Sequence, residues 1–255
     1  LAAAARQYRG TGTPDVFIRY LLGEPVAFHT EIAPAAEAER AFTIMLVIAL
    51  FSQGTGPIPE LGTQVGVVPV WQTATILGLL ALAGLRDKVI FLAARGEVYG
   101  SLAFCFLFSG ADIVLAAKLV CLVIWMGAAT SKLNKHFPFV ISTMMSNNPV
   151  IRPRSIKRRF FEHFPEDLRP GRASRWLAHF STAIEMLVPL VLFFSHGGWV
   201  TAIAAVVMLC FHFGILSAIP MGVPLEWNVF MMFSVLALFV GNAGIGLGDL
   251  NSPWP

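Results

Sequence analysis

"ADIVLAAKLVCLVIWMGAATSKLNKHFPFVISTMMSNNPVI", residues 111–151, decides the class of this protein. The first part, 111–130, carries charge only at Asp112 and Lys118 and is long enough to cross a bilayer as a helix. The run stops at Lys132 and Lys135, and the chain then turns apolar again between Pro138 and Pro149. That second stretch is too short to span. With cations on its flank, it suits an interfacial helix over anionic headgroups, or a lid over a helix bundle.

Working outward, the pattern repeats. The chain is 56% hydrophobic and only 13% charged, about half the charged share of a soluble domain. Runs of spanning length fall at 65–85, 89–109, 111–130, 176–195, 199–219 and 227–247. The expectation is an all-α, polytopic transmembrane helix bundle of about six spans, with short interfacial or re-entrant helices beside them. The second run is the weakest, because Arg95 and Glu97 interrupt it. Residues 1–64 read as a polar N-terminal segment with one short apolar helix, "AFTIMLVIALF" at 41–51, and 65–255 as the transmembrane domain. At eleven residues the short helix fits a re-entrant, interfacial or protein-buried role, and its crossing is left open.

The basic residues give the orientation. Arg86 and Lys88 share one connection; Lys132, Lys135 and eight more Lys or Arg up to Arg175 share another, with a basic loop at 152–175. The connections at 110 and 196–198 have none. On a six-span path all basic loops fall on one side, the cytoplasmic side by the positive-inside tendency. The expected location is a bacterial inner membrane or its organellar equivalent, and the expected partners of the basic loop are anionic headgroups. Beside spanning helices, the same charge gives no reason to expect nucleic acid.

Ionisable groups inside hydrocarbon cost several kcal/mol unless paired or hydrated, so they mark the candidate site. Lys118 and Glu185 both fall mid-helix, and a buried Lys118–Glu185 pair is the simplest way to make both tolerable. Proton handling or ligand binding is the functional alternative. Pro189, four residues after Glu185, removes the hydrogen bond to the Glu185 carbonyl and leaves a polar spot there. His212 sits in "VVMLCFHFGILSAIP" and Asn228 in "PLEWNVF"; both can hydrogen-bond across helices. Arg95 and Glu97, two positions apart, cannot face each other, so each needs another partner or the interface.

Other chemistry is absent from the pattern. There is no P-loop, no GxGxxG after a strand, no GxSxG, and no HxxxH, HExxH or ExxH, so no metal site is expected. Cys105, Cys121 and Cys210 lie in apolar runs, an odd and unspaced set that reads as small buried hydrophobes.

Three stretches carry a family resemblance: "WMGAATSKLNKHF", "STAIEMLVPLVLFF" and "FHFGILSAIPMGVPLEWNVFMMFSVLALF". Together they resemble the membrane domain of vitamin K-dependent gamma-carboxylases and their bacterial relatives, the HTTM superfamily. Residues 85–248 look most like an uncharacterised actinobacterial family of larger membrane proteins within or near that group. The resemblance implies an HTTM-like bundle and, at Lys132 in "GAATSKL", the base that acts on vitamin K hydroquinone. The position matching the assisting histidine is Arg95, in "ARGEVYG", and an arginine stays protonated. The large extramembrane domain of the carboxylases is not found in these residues.

Two functions follow. One is a non-catalytic integral membrane subunit of a larger assembly, with other membrane subunits as partners. The other is a membrane enzyme or binding protein with an intramembrane pocket for a quinone or lipid. Lys132 and Glu185 would then act catalytically, with Lys118, His212, Arg95 and Asn228 lining the ligand.

Overall fold

The computed structural model describes residues 41, 44–49, 51–86, 96–218 and 222–250, with the side chains of 222–226 left aside. The chain divides into two compact units, residues 1–108 and 109–255. The readings made on residues 1–40 and on Arg95 lie outside the described residues.

In the first unit, residues 44–49 are helical. A closed loop follows, in which the N–H groups of Thr55, Gly56 and Ile58 donate to the carbonyls of Val67, Val65 and Thr63 at 3.0, 3.0 and 2.9 Å. This pairing ties down residues 65–67 as loop. Pro69 then opens a helix, its carbonyl accepting from Gln72 and Thr73 N–H. Helix α1 runs Val70–Arg86, and α2 runs Gly96–Cys105 and packs against it.

The second unit is a helix bundle. Its elements are α3 (Ala111–Ser131), α4 (Phe137–Asn147), α5 (Arg154–Arg158), β1 (Phe161–His163), β2 (Asp167–Pro170), α6 (Arg172–Phe194), α7 (Gly198–Ala218) and α8 (Gly222–Ser234). A π-helical turn, Val235–Val240, extends α8. The central element is α6, which packs against α3, α4 and α7. Its connection to α7 is the expected tight turn: His196, Gly197 and Gly198 all have positive φ, and Gly197 N–H donates to Thr201 Oγ1 at 2.8 Å.

The span count needs correction. Three helices among the described residues are long and apolar enough to cross a membrane: Ala111–Ser131, Arg172–Phe194 and Gly198–Ala218, with mean hydropathy 2.2, 1.8 and 2.2. Among the described residues the other three expected spans do not form helices of spanning length. The run at 65–85 loses its start to the closed loop, and the 17-residue α1 reaches only about 25 Å. In the run at 89–109, the described helix is the 10-residue α2. The run at 227–247 starts early at Gly222, loosens into the π turn and ends in turns at 241–244. Hydropathy alone sees none of these breaks.

Aromatic side chains mark both ends of α6. Trp176 and Phe180 stack with ring centroids 4.9 Å apart and are exposed. At the other end Phe194 and, on α7, Trp199 are exposed. From Trp176 to Phe194 the helix rises about 27 Å, close to the thickness of the hydrocarbon layer. The apolar side chains exposed between these ends, Ile203, Val206 and Phe213 among them, need no protein cover in lipid.

The stretch at 137–147 forms α4, which covers α6 with one face and exposes the other. Ile141 and Ser142 are buried, whereas Phe139 and Val140 are exposed. Ser142 Oγ donates to Ser174 Oγ at 2.9 Å, and Ser174 donates on to the Phe160 carbonyl at 2.7 Å. This chain ties α4 to α6 and to the residue before β1. The two-stranded hairpin itself was not foreseen in an all-α reading. It packs closely on the start of α6: a Cβ at Gly171 would lie 2.7 Å from the Phe161 carbonyl oxygen.

Candidate functional site

The site gathers where α3, α4, α6, α7 and α8 meet. Lys132, directly after the last residue of α3, forms an ion pair with Glu185 of α6. Glu185 is buried, while the Lys132 side chain keeps 22% of its surface accessible. The Lys132 ammonium lies 5.7 Å from the ring of Phe137 and 5.8 Å from that of Phe211. Both are cation–π distances. The ammonium is thus held between a carboxylate and two aromatic faces, at the first turn of α4 and on α7.

Beside Phe211 stands His212. Trp125 Nε1 donates to His212 Nε2 at 3.1 Å, and His212 Nδ1 lies 2.8 Å from Asn228 Oδ1. An indole N–H only donates, so Nε2 must be unprotonated. The geometry therefore assigns the proton of a neutral ring to Nδ1, which donates to Asn228. Trp125, His212 and Asn228 are all buried. Trp125 also packs on Phe239, with centroids 5.7 Å apart. This chain crosses three helices and fixes both the tautomer and the plane of the imidazole.

The expected Lys118–Glu185 pair does not form. Lys118 and Lys132 are fourteen residues apart on one helical path, or about 21 Å, so a single carboxylate cannot serve both. Lys118 instead donates to the carbonyls of Asn242 and Ile245 at 2.8 and 2.6 Å. These carbonyls follow the end of the π turn, where the helical ladder leaves acceptors open. The ammonium is buried, sits 5.7 Å from the Phe239 ring, and feels the charge of Asp249, whose carboxylate accepts from Gly246 N–H at 2.8 Å. Lys118 thus acts as a cap for the chain after α8.

Of the residues singled out from the sequence, the structure brings together Lys132, Glu185, His212 and Asn228, and sets Lys118 elsewhere. Pro189 is buried inside α6 and, lacking an N–H, leaves the Glu185 carbonyl without its helical donor. Trp125 and Phe211 were missed. Their signal was weak: Trp125 sits seven residues before Lys132 and Phe211 beside His212, spacing that is common in any apolar helix. Among the cysteines, Cys105 and Cys121 are buried and Cys210 is exposed. No group of three metal-ligating side chains occurs among the described residues.

A family model matches residues 38–255, and its description is "transmembrane protein of unknown function (DUF3556)". The chain belongs to this family. No curated protein and no solved structure matches the chain. This DUF3556 protein is therefore a mostly helical membrane protein, with three helices of spanning length among its described residues.

Proposed function

We propose that this DUF3556 protein is a non-catalytic, multi-pass subunit of a larger membrane assembly, in a bacterial inner membrane or its organellar equivalent. One observation carries the reading. The buried polar side chains of the site already join helices of this chain, Glu185 through Lys132 and His212 through Trp125 and Asn228, and Lys118, set apart, ties α3 to the turns after α8. Such groups rigidify and specify a bundle when fully satisfied. Native mass spectrometry of the protein gently extracted from its own membrane tests this. Other chains in fixed ratio are expected; a lone chain or homo-oligomer would contradict it.

A second reading rests on the accessibility of Lys132. Of the ion pair only this side chain keeps part of its surface open, and it is the position that the carboxylase-like, HTTM-type resemblance singles out. In that reading the Lys132–Glu185 pair opens to take a quinone or lipid. A lone chain holding such a molecule, and losing it on Lys132→Ala, would replace the first reading with the second.

A further inference from the structure

Away from the ion pair, α4, α5 and the hairpin enclose a cleft of about 500 Å³. Ser146, Asn147, Arg154, Lys157 and Arg158 line its polar side, and Phe161, Phe164 and Leu168 its apolar side. The Arg158 guanidinium sits 5.7 Å from the Phe164 ring, so one cation is already oriented at the apolar wall. No carboxylate lines the cleft, and none of the three cations is ion-paired among the described residues.

The neighbouring cleft makes the contrast. It is smaller, about 310 Å³, and includes Lys135, Arg169 and Arg175. There Arg169 is spent on Asp167 and Arg175 on Glu162, at 2.6 and 2.8 Å. Two clefts on one basic surface therefore differ in free positive charge. The larger one keeps three unspent cations beside an apolar wall. It also lies in the segment between α3 and α6, at the end of the spanning helices that exposes Trp176. A group that is anionic at one end and apolar at the other satisfies both walls.

We propose that this cleft binds the phosphate headgroup of an anionic phospholipid. Arg154, Lys157 and Arg158 take the phosphate, and Phe161, Phe164 and Leu168 take the first carbons below it. A basic side chain at an anionic surface contributes roughly fivefold in binding, so three give a clear signal.

The test is native mass spectrometry of the purified full chain in detergent, titrated with phosphatidylglycerol or phosphatidylcholine, with inorganic phosphate as competitor. Retention of phosphatidylglycerol over phosphatidylcholine is expected. The Arg154→Gln/Lys157→Gln/Arg158→Gln variant is expected to lower that retention about tenfold or more. The charge-matched Lys135→Gln/Arg169→Gln/Arg175→Gln variant should lower it less than twofold. Phe164→Ala, which keeps every charge, should weaken the lipid and leave phosphate competition unchanged. Equal loss in both triple variants would overturn the site in favour of a general charge effect. Equal retention of phosphatidylcholine would overturn the headgroup assignment. Displacement by phosphate alone, with no effect of Phe164→Ala, would make it a site for a free anion. If a triple variant fails to fold, Arg158→Gln and Phe164→Ala decide by the same readout.

Discussion

Two of the ion pairs among the described residues sit in different settings. Lys132–Glu185 lies within the helix bundle, and Arg169–Asp167 lies on the hairpin outside it. The hairpin pair has the fuller geometry: Arg169 Nε reaches both carboxylate oxygens at 3.0 Å, and its Nη2 donates at 2.6 Å. Yet its guanidinium is exposed, and water and salt can replace most of what the pair provides. In the bundle no such replacement exists for Glu185. The difference teaches that burial, rather than geometry, sets which pair the fold depends on.

The most forceful way to break the comparison is to strand one partner. Lys132→Met leaves the buried Glu185 carboxylate without its cation, and is expected to cost about 3 kcal/mol. Thermal unfolding in detergent reads it. The Lys132→Met/Glu185→Leu double variant should recover most of that loss, because no unpaired charge remains. A double variant worse than both singles would mean the pair does not act as a unit.

Next comes Lys118→Met, which leaves the Ile245 carbonyl without the ammonium and the Asn242 carbonyl with only the Ile245 N–H. A loss of about 2 kcal/mol is expected, with the C-terminal turns becoming open to protease before the bundle unfolds. Uniform loss of the whole domain would show that Lys118 supports more than its cap. A smaller effect should follow Trp125→Phe, which keeps the ring packing and removes the N–H to His212, at about 1 kcal/mol. His212→Phe in that background should then add less than it does alone, since the two share one hydrogen bond.

The hairpin pair sits at the bottom of the series. Asp167→Asn is expected to leave the melting temperature unchanged at neutral pH. Hydrogen bonds from the Arg169 side chain and backbone hold the Asp167 carboxyl down at about 2. A depressed carboxylate contributes stability above its unfolded value near 3.8 and loses it as the pH falls toward about 2. Any difference between wild type and Asp167→Asn should therefore be flat above pH 4 and vanish between about 4 and 2. A difference that grows above pH 6 would place its origin elsewhere.

The spans and the site were legible to different depths. Runs at 111–130, 176–195 and 199–219 became helices of spanning length, and the one rung that Pro189 removes does not end its helix. Of the others, the run at 65–85 is shortened by the closed loop at 55–67 and Pro69, and the run at 227–247 by the π turn after Ser234. Those depend on backbone pairing, which composition does not carry. Polar residues in apolar runs were the readable signal for the site, and Glu185, His212 and Asn228 all lie in it. Their partners were harder to read. Mid-helix position pointed to Lys118 as the partner of Glu185, and only the three-dimensional packing of α3 against α6 selects Lys132. Trp125 gave no warning, because an indole N–H in an apolar helix resembles any other packed aromatic.

The most direct test of the central claim compares wild type with the Lys132→Met/Glu185→Leu double variant, each extracted from its own membrane for native mass spectrometry. A structural subunit predicts the same partner chains in the same ratio for both, with no small molecule distinguishing them. A lone wild-type chain that carries a quinone or lipid, absent from the double variant, would contradict the claim and make the ion pair a binding site.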